Sequence, residues 1–387
     1  MRTQLTIVGG GLGGLVTAIS AREAGLEVTL YEARKELGGR ARTTPGPHRA
    51  NWGPHVIYSD GPLWAWLDQR GLARPARRVP STARIVFRVD GRGRTVPPRK
   101  VLTGILRLRN TEAPVDRSFR AWATERLDDP VTAGRISNFV GVATFDPDPG
   151  RLSAAFVNDR LRRATQYPPA VRYIPGGWGT IVDRLAAYAR HLGARLETNN
   201  PVDHLPAPPV VLAIPMARAA QLTGDRSLRS TGTRTALLDV AITRRRVDPF
   251  AVSDLDGSGW IETFSIPDPS VAPTGEHLTQ SQVGLFPDET LEQGVARIEA
   301  LLDCGYREWR DRETWRRRLT VTAESGALDP PGTTWRDRPS GDRGDDVHVV
   351  GDMVAAPGLL SEVTHQSAVD AVTRLAAERP ISVVAQA

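Results

Sequence analysis

Gly9, Gly11 and Gly14 recur with the spacing GxGxxG, and an acid, Glu32, closes the next apolar run. Each of these residue types has a task in holding a dinucleotide. Gly9 permits a tight turn, Gly11 lets a pyrophosphate approach the backbone, and Gly14 lets a helix pack closely on a strand. The Glu32 carboxylate can accept from both ribose hydroxyls, which disfavours a 2′-phosphate and makes NADP the poorest candidate occupant. Glycine-rich turns are common, so the spacing gains meaning only from the elements around it. Those elements are present. Leu5 to Val8 reads as a short buried strand, a helical pattern runs from the glycines to Ala24, Gly25 ends it, and Val28 to Tyr31 reads as a second strand. The helix N-terminus then faces the phosphates.

Directly after the second strand stand Glu36-Leu37-Gly38-Gly39-Arg40-Ala41-Arg42-Thr43. This segment resembles the RxGGRxxS/T stretch that follows the Rossmann unit in the flavoprotein superfamily of amine oxidases, phytoene desaturases and protoporphyrinogen oxidases. Arg40 and Thr43 match; Glu36 stands where the family has its first Arg, which weakens one expected phosphate contact. The resemblance implies FAD as the cofactor, with Gly38, Gly39 and Arg40 along its pyrophosphate and ribityl side.

The far end carries a matching piece. Val347 to Val350 reads as a strand, Gly351-Asp352 follow, and Ala356 to Glu362 lead into a helical pattern from Ser361 to Glu378. This resembles the superfamily's C-terminal GD segment, which implies that Asp352 accepts from ribityl-side groups. The turn at Leu360 would then point a helix N-terminus at the flavin's pyrimidine end, where reduced flavin carries negative charge. A fourth piece is Pro175-Gly176-Gly177-Trp178, a helix from Thr180 to Leu192, Val202, and a buried strand from Val210 to Ile214. The resemblance places the Val202 backbone against the adenine. The linker Asp203 to Pro209 is short and Pro-rich, so the hairpin usual there looks trimmed.

The expected fold is α/β: a Rossmann-type FAD-binding domain interrupted by an α+β substrate domain with an antiparallel sheet and helices. The FAD-binding domain would be discontinuous, at 1–80, 171–234 and 336–387, with 81–170 and 235–335 binding substrate. In the latter, a hairpin is expected around Asp90-Gly91, helices over Phe119 to Leu127, Leu152 to Arg163 and 290–303, and strands over Leu237 to Thr243, Trp260 to Ile266 and Leu278 to Phe286.

The resemblance implies an FAD-dependent oxidoreductase that removes a hydride from a small organic substrate through flavin N5, by dehydrogenation, desaturation or oxidase chemistry. His55, in Gly53-Pro54-His55, is the candidate catalytic residue, orienting the flavin or accepting a proton. A loop histidine with an ordinary hydrogen bond is the competing reading. His365 reads as a helix-surface residue, most of the nine Trp as core, and Cys304 as packing. Many amine oxidases of the superfamily place a Lys that holds a water near N5. The two lysines here, Lys35 and Lys100, are not at such a position, which weighs against an amine oxidase of that type. Two rivals stay open: a redox-neutral flavoenzyme similar to UDP-galactopyranose mutase, and a flavin-free binding protein similar to the Rab GDP-dissociation inhibitors.

Composition sets the outer bounds. The 387 residues are 40% hydrophobic and 24% charged, which fits a folded protein of two or three domains. Net charge is +6, but 48 of the 50 basic residues are scattered arginines, with Ala, Gly and Pro also abundant. That reads as GC-rich bacterial coding, and no basic block with interleaved aromatics suggests nucleic acid. No apolar run is long enough for a transmembrane helix, and glycines interrupt the one run that mimics an export signal. A single cysteine excludes an intrachain disulfide framework or a cysteine-rich metal site and fits a cytoplasmic location.

Overall fold

The computed structural model describes residues 4–229, 232–322 and 326–377. Five short strands, all running parallel, form one sheet in the order Val347–Val349, Val210–Leu212, Gln4–Val8, Glu27–Tyr31, Arg195–Glu197. The chain leaves the central strand toward Glu27–Tyr31 and later returns on its other side at Val210–Leu212. That reversal of strand order opens a crevice at the carboxyl ends of the strands, where α/β sheets bind ligands. Gly9, Glu32 and Gly351-Asp352 all sit just beyond such ends.

Both faces of the sheet are covered, as a parallel sheet requires. Helices Leu12–Glu23, Gly179–His191 and Ser361–Ala377 share one apolar cluster with its central strands, while helix Met216–Thr223 packs against the other face. The first helix begins at Leu12, earlier than the glycine run suggests, so Gly13 and Gly14 lie inside it. A Cβ on Gly14 would stand 1.9 Å from the Gly9 carbonyl oxygen. The helix can lie this close to the turn only because position 14 has no side chain.

The second sheet has seven strands: Glu313–Thr322, Arg234–Thr243, Glu276–Leu285, Trp260–Thr263, Ala251–Asp254, Ile85–Val89 and Arg92–Arg94. The expectation of an antiparallel sheet holds with one exception, since Ala251–Asp254 and Ile85–Val89 run parallel. Alternation along Arg234–Thr243 divides the sheet's two faces. Ala236, Leu238, Val240 and Ile242 pack with helix Leu291–Gly305, leaving Leu237, Asp239 and Ala241 on the opposite face. The hairpin at Asp90-Gly91 forms, with both residues at positive φ, 53° and 72°, as a tight two-residue turn requires. Helices Arg99–Arg109, Phe119–Leu127, Pro130–Phe139 and Ala154–Ala164 build a separate apolar cluster around Phe119 and Trp122. Among the described residues no strand lies between Glu197 and Val210, in agreement with a trimmed linker.

Candidate functional site

The glycine turn is shaped by its own packing. Gly9 has φ 103°, and a Cβ there would meet the Ala213 carbonyl oxygen at 2.3 Å. Gly11 differs: its φ of −76° is ordinary, and the nearest atom to a Cβ is 4.0 Å away. Gly39 faces it, with the Gly11 Cα the one neighbour within reach at 3.5 Å, and a Cβ on Gly351 would meet nothing within 4 Å. Internal packing therefore requires glycine at 9 and 14 but not at 11. Bare backbone at 11, 39 and 351 borders open space from three separate chain segments. The helix that starts at Leu12 has no side-chain cap at Gly11, so its first N–H groups are not claimed by a capping side chain.

Glu32 is buried and hydrogen-bonded through both oxygens. Oε2 accepts from the Gly10 N–H at 2.8 Å and Oε1 from the Arg34 N–H at 2.9 Å. Each carboxylate oxygen retains acceptor capacity toward further donors. Its carbonyl accepts from Asn200 N–H at 2.9 Å, which brings the Val202 segment alongside. The Val202 carbonyl is itself taken by Arg218 at 3.0 Å.

The two chain ends are joined by Arg40 and Asp352. Their side chains make two parallel hydrogen bonds of 2.8 Å, the geometry in which a guanidinium best matches a carboxylate. Gly38 packs against the turn, its N–H donating to the Gly10 carbonyl at 2.7 Å. Glu36 is exposed. Thr43 points away from the glycine turn and accepts from the Gly179 N–H at 2.8 Å while bonding Asn51 Oδ1. Leu360 has φ 53° and immediately precedes helix Ser361–Ala377.

His55 lies with its ring 5.1 Å from that of Trp178, and its Nδ1 is buried without a partner. Burial, with Arg40 adding repulsion, pushes the imidazole down to about 4, so it is neutral near pH 7. His365 corrects the expectation of a surface residue. It is 5% exposed because helix Pro62–Gln69 covers that side, with Trp66 edge-on to its ring at 5.7 Å. Trp64, Trp66, Trp122, Trp178 and Trp309 are buried. Cys304 is half-buried, its thiol donating weakly to the Gly91 carbonyl at 3.7 Å.

The loop that carries His55 rests on a polar row that sequence reasoning missed. Arg317, Asp239, Gln280 and Glu262 stand directly opposite one another on four successive strands and share one face of the large sheet. Arg317 pairs with Asp239 and donates to the Asn51 carbonyl, which also accepts from Gln280 Nε2 at 3.0 Å. Asn51 Oδ1 accepts from the Trp178 N–H at 2.8 Å. Trp52 is held between two guanidinium groups, Arg42 at 4.6 Å and Arg317 at 4.8 Å from its ring. Glu262 accepts from the Tyr173 hydroxyl and from Trp260 Nε1 at 3.0 Å, and burial raises it to about 7. Asp239 is raised to about 6 by burial, despite Arg317. A partial signal existed: Asp239 interrupts the apolar run Ala236 to Ile242, and Gln280 and Gln282 recur at strand spacing.

Comparison with known proteins follows the same division. Residues 7–70 match the family described as a NAD(P)-binding Rossmann-like domain. Over 72 residues the chain is 39% identical to the 4,4'-diapolycopen-4-al dehydrogenase of Metabacillus indicus, a match covering 18% of this chain and 15% of that protein. Likeness across the whole chain is structural. An oxidoreductase from Methanosarcina mazei superposes with a TM-score of 0.75 at 16% identity, over 96% of this chain and 100% of that one. The cyclohexylamine oxidase of Brevibacterium oxydans gives 0.72 at 16% identity, over 98% and 99%. The chain shares its overall fold with these two solved structures, an oxidoreductase and an amine oxidase. Within that fold, a reduced UDP-galactopyranose mutase superposes with a TM-score of 0.69 at 14% identity, over 98% of this chain and 96% of the other. Among the described residues no helix is long and apolar enough to cross a membrane, and no cluster of His, Cys, Asp or Glu is arranged to hold a metal.

Proposed function

We propose that this protein is a flavin-dependent oxidoreductase that holds FAD along the crevice at the carboxyl ends of the parallel strands and acts on a small organic molecule. The observation that carries the reading is the open space beside Gly11, Gly39 and Gly351, three backbone positions from distant segments that internal packing leaves uncovered. The turn Gly9 to Gly14 would take the pyrophosphate on backbone N–H groups, with Glu32 and the Val202 segment at the adenosine end. Gly38, Gly39, Arg40, Gly351 and Asp352 would flank the ribityl side, and the turn at Leu360 the pyrimidine end.

Bound FAD supplies a two-electron acceptor able to take a hydride from carbon. The chain's residues prepare the surroundings. The Arg40–Asp352 pair locks the two chain ends together, so both walls keep a fixed separation. His55 is neutral near pH 7 and presents Nδ1 without a protein partner, which suits it to a hydrogen bond with cofactor or substrate. A proton held at Nδ1 would be acidic at that pH, so orientation fits His55 better than general-base work. Trp178, itself buried, covers one side of the His55 ring at 5.1 Å.

The deciding measurement is the visible absorption spectrum of purified protein before and after anaerobic dithionite, for wild type and Gly11→Val. Wild type should show flavin bands that bleach on reduction. The variant has room for its side chain within the fold, so it should remain folded and lose the bands. A folded Gly11→Val protein with full flavin content would sink the placement, and a wild type unable to take up added FAD would sink the reading. Turnover that requires prior reduction and releases no electrons would move the chemistry to the redox-neutral class.

A further inference from the structure

Helix Ala154–Ala164 carries three arginines with different fates. Arg160 stays buried on its own helix, its guanidinium over the Phe156 ring, and Arg162 donates to the carbonyls of Arg109 and Thr111. Arg163 instead leaves the four-helix cluster and reaches two distant segments. Its Nη2 donates at 2.7 Å to both Glu362 Oε1 and Asp60 Oδ1, and its Nη1 to Glu362 Oε2 at 3.2 Å. The guanidinium lies 4.4 Å over the Tyr58 ring.

Glu362, only 3% exposed, is the second residue of helix Ser361–Ala377. Its Oε2 also accepts from the Leu359 N–H at 3.1 Å, so the carboxylate closes the turn that carries Leu360. Two glycines make room for it. A Cβ on Gly358 would stand 2.8 Å from the Glu362 Cβ. Gly61 has an ordinary φ of −98°, yet a Cβ there would stand 1.8 Å from Glu362 Oε1. Glycine at 61 therefore answers to the carboxylate and not to the backbone.

A helix N-terminus favours an acid in its first turn, but a buried carboxylate needs strong donors as well. Arg163 supplies two of them, from a helix that shares no apolar cluster with helix Ser361–Ala377. The pair joins the four-helix cluster to the turn at Leu360, and its guanidinium offsets the buried negative charge there. Asp60 is exposed, so water screens its share of the balance.

We propose that Arg163 and Glu362 are a positioning pair for the flavin, fixing the turn at its pyrimidine end and balancing the charge beside it. The proposal rests on the flavin reading. Reduced flavin carries negative charge at that end, so an unbalanced Glu362 would disfavour reduction and an unbalanced Arg163 would favour it.

The test is the reduction potential of bound FAD, read against a reference dye at about pH 8.5, where carboxylates are ionised. Glu362→Gln keeps the side chain's shape. It should raise the affinity for reduced relative to oxidised flavin about tenfold, about 30 mV for a two-electron couple. Arg163→Met should lower that ratio by a similar factor, and Arg163→Lys should stay near wild type. Shifts of one sign in Glu362→Gln and Arg163→Met would mark disturbed packing and overturn the pair, as would two unchanged potentials. If Arg163→Met does not fold, Glu362→Gln decides alone, and an unchanged or lowered potential overturns the pair. Wild-type protein that takes up no FAD overturns the flavin reading and the pair's role with it. Yellow protein whose variants fail to shift in opposite directions overturns the pair alone.

Discussion

The two walls of the candidate site are built by opposite means. On the glycine side, the groups proposed to meet a ligand are backbone, and their availability depends on side chains being absent at Gly9, Gly11, Gly14 and Gly39. On the sheet side, four strands each contribute one long polar side chain, and Arg317, Asp239, Gln280 and Glu262 acquire meaning only from their register. The first wall is rigid and tolerates no added atoms at its packed positions. The second is a network of buried charges and amides, whose cost of desolvation makes it sensitive to pH and to loss of any partner.

The largest effect should come from the glycine wall. Gly14→Ala places a methyl 1.9 Å from the Gly9 carbonyl oxygen, and neither the helix nor the strand can retreat without opening the core around Leu15 and Leu30. We expect a loss of about 3 kcal/mol in urea unfolding, the upper range for overpacking. Gly11→Ala, on the same turn, should be near neutral in the same experiment. Equal losses for the two would mean that the turn is a structural unit throughout, with no face set aside for a ligand.

The sheet wall should respond to pH instead. Glu262 is raised to about 7 against an ordinary value near 4.5, so the folded state holds its proton more tightly than the unfolded state. Stability from this group is therefore full at low pH and falls as pH rises from about 4.5 through 7. The raised Asp239 acts in the same direction. Between pH 5 and pH 8 Glu262 should remove about 2.5 kcal/mol of stability, at about 1.4 kcal/mol per tenfold gain in proton affinity on folding. His55 and His365, both lowered to about 4 by burial, act in the opposite direction. The quantity to measure in denaturation is therefore the difference in slope between wild type and Glu262→Gln. Glu262→Gln should remove that contribution and leave those of Asp239 and the two histidines. A variant with an unchanged slope would show that Glu262 is solvated in solution and that the row is not a buried unit.

This contrast explains which parts of the molecule are legible in its sequence. The glycine turn, Glu32, the Gly38-Gly39-Arg40 loop and the Gly351-Asp352 pair are local patterns, because a backbone site is set by residues adjacent in sequence. The flanking strands and helices follow from periodicity, including helix Ser361–Ala377 and the Asp90-Gly91 hairpin. The pairing of Arg40 with Asp352, 312 residues apart, is a tertiary contact that no spacing encodes. The same holds for Asn51, whose side chain and carbonyl tie the loop to Trp178, Gln280 and Arg317. His365 escapes a sequence reading because a lone polar residue in a helical pattern defaults to the solvent face, whereas a second helix buries this one. Arg160, only 5% exposed, hides in the same way among the arginines of helix Ala154–Ala164.

Trp52 joins the two walls and gives the smallest but sharpest test of their independence. Its ring lies between Arg42, which belongs to the diglycine segment, and Arg317, which belongs to the polar row. Arg317 would remain paired with Asp239 if the ring were lost, and Arg42 Nε would keep its bond to the Gly39 carbonyl at 2.8 Å. Each cation–π contact is worth about 0.5–1 kcal/mol at a partly exposed site. Trp52→Leu keeps apolar bulk and removes only the ring face, so we expect a loss of about 1 kcal/mol in unfolding with flavin content unchanged. Retention of flavin would show that the backbone wall holds its ligand without support from the sheet. Loss of flavin at so small a cost in stability would mean that Arg42, and through it the Gly38-Gly39 loop, is positioned by Trp52. The two walls would then be one cooperative structure, with the legible half depending on the half that the sequence conceals.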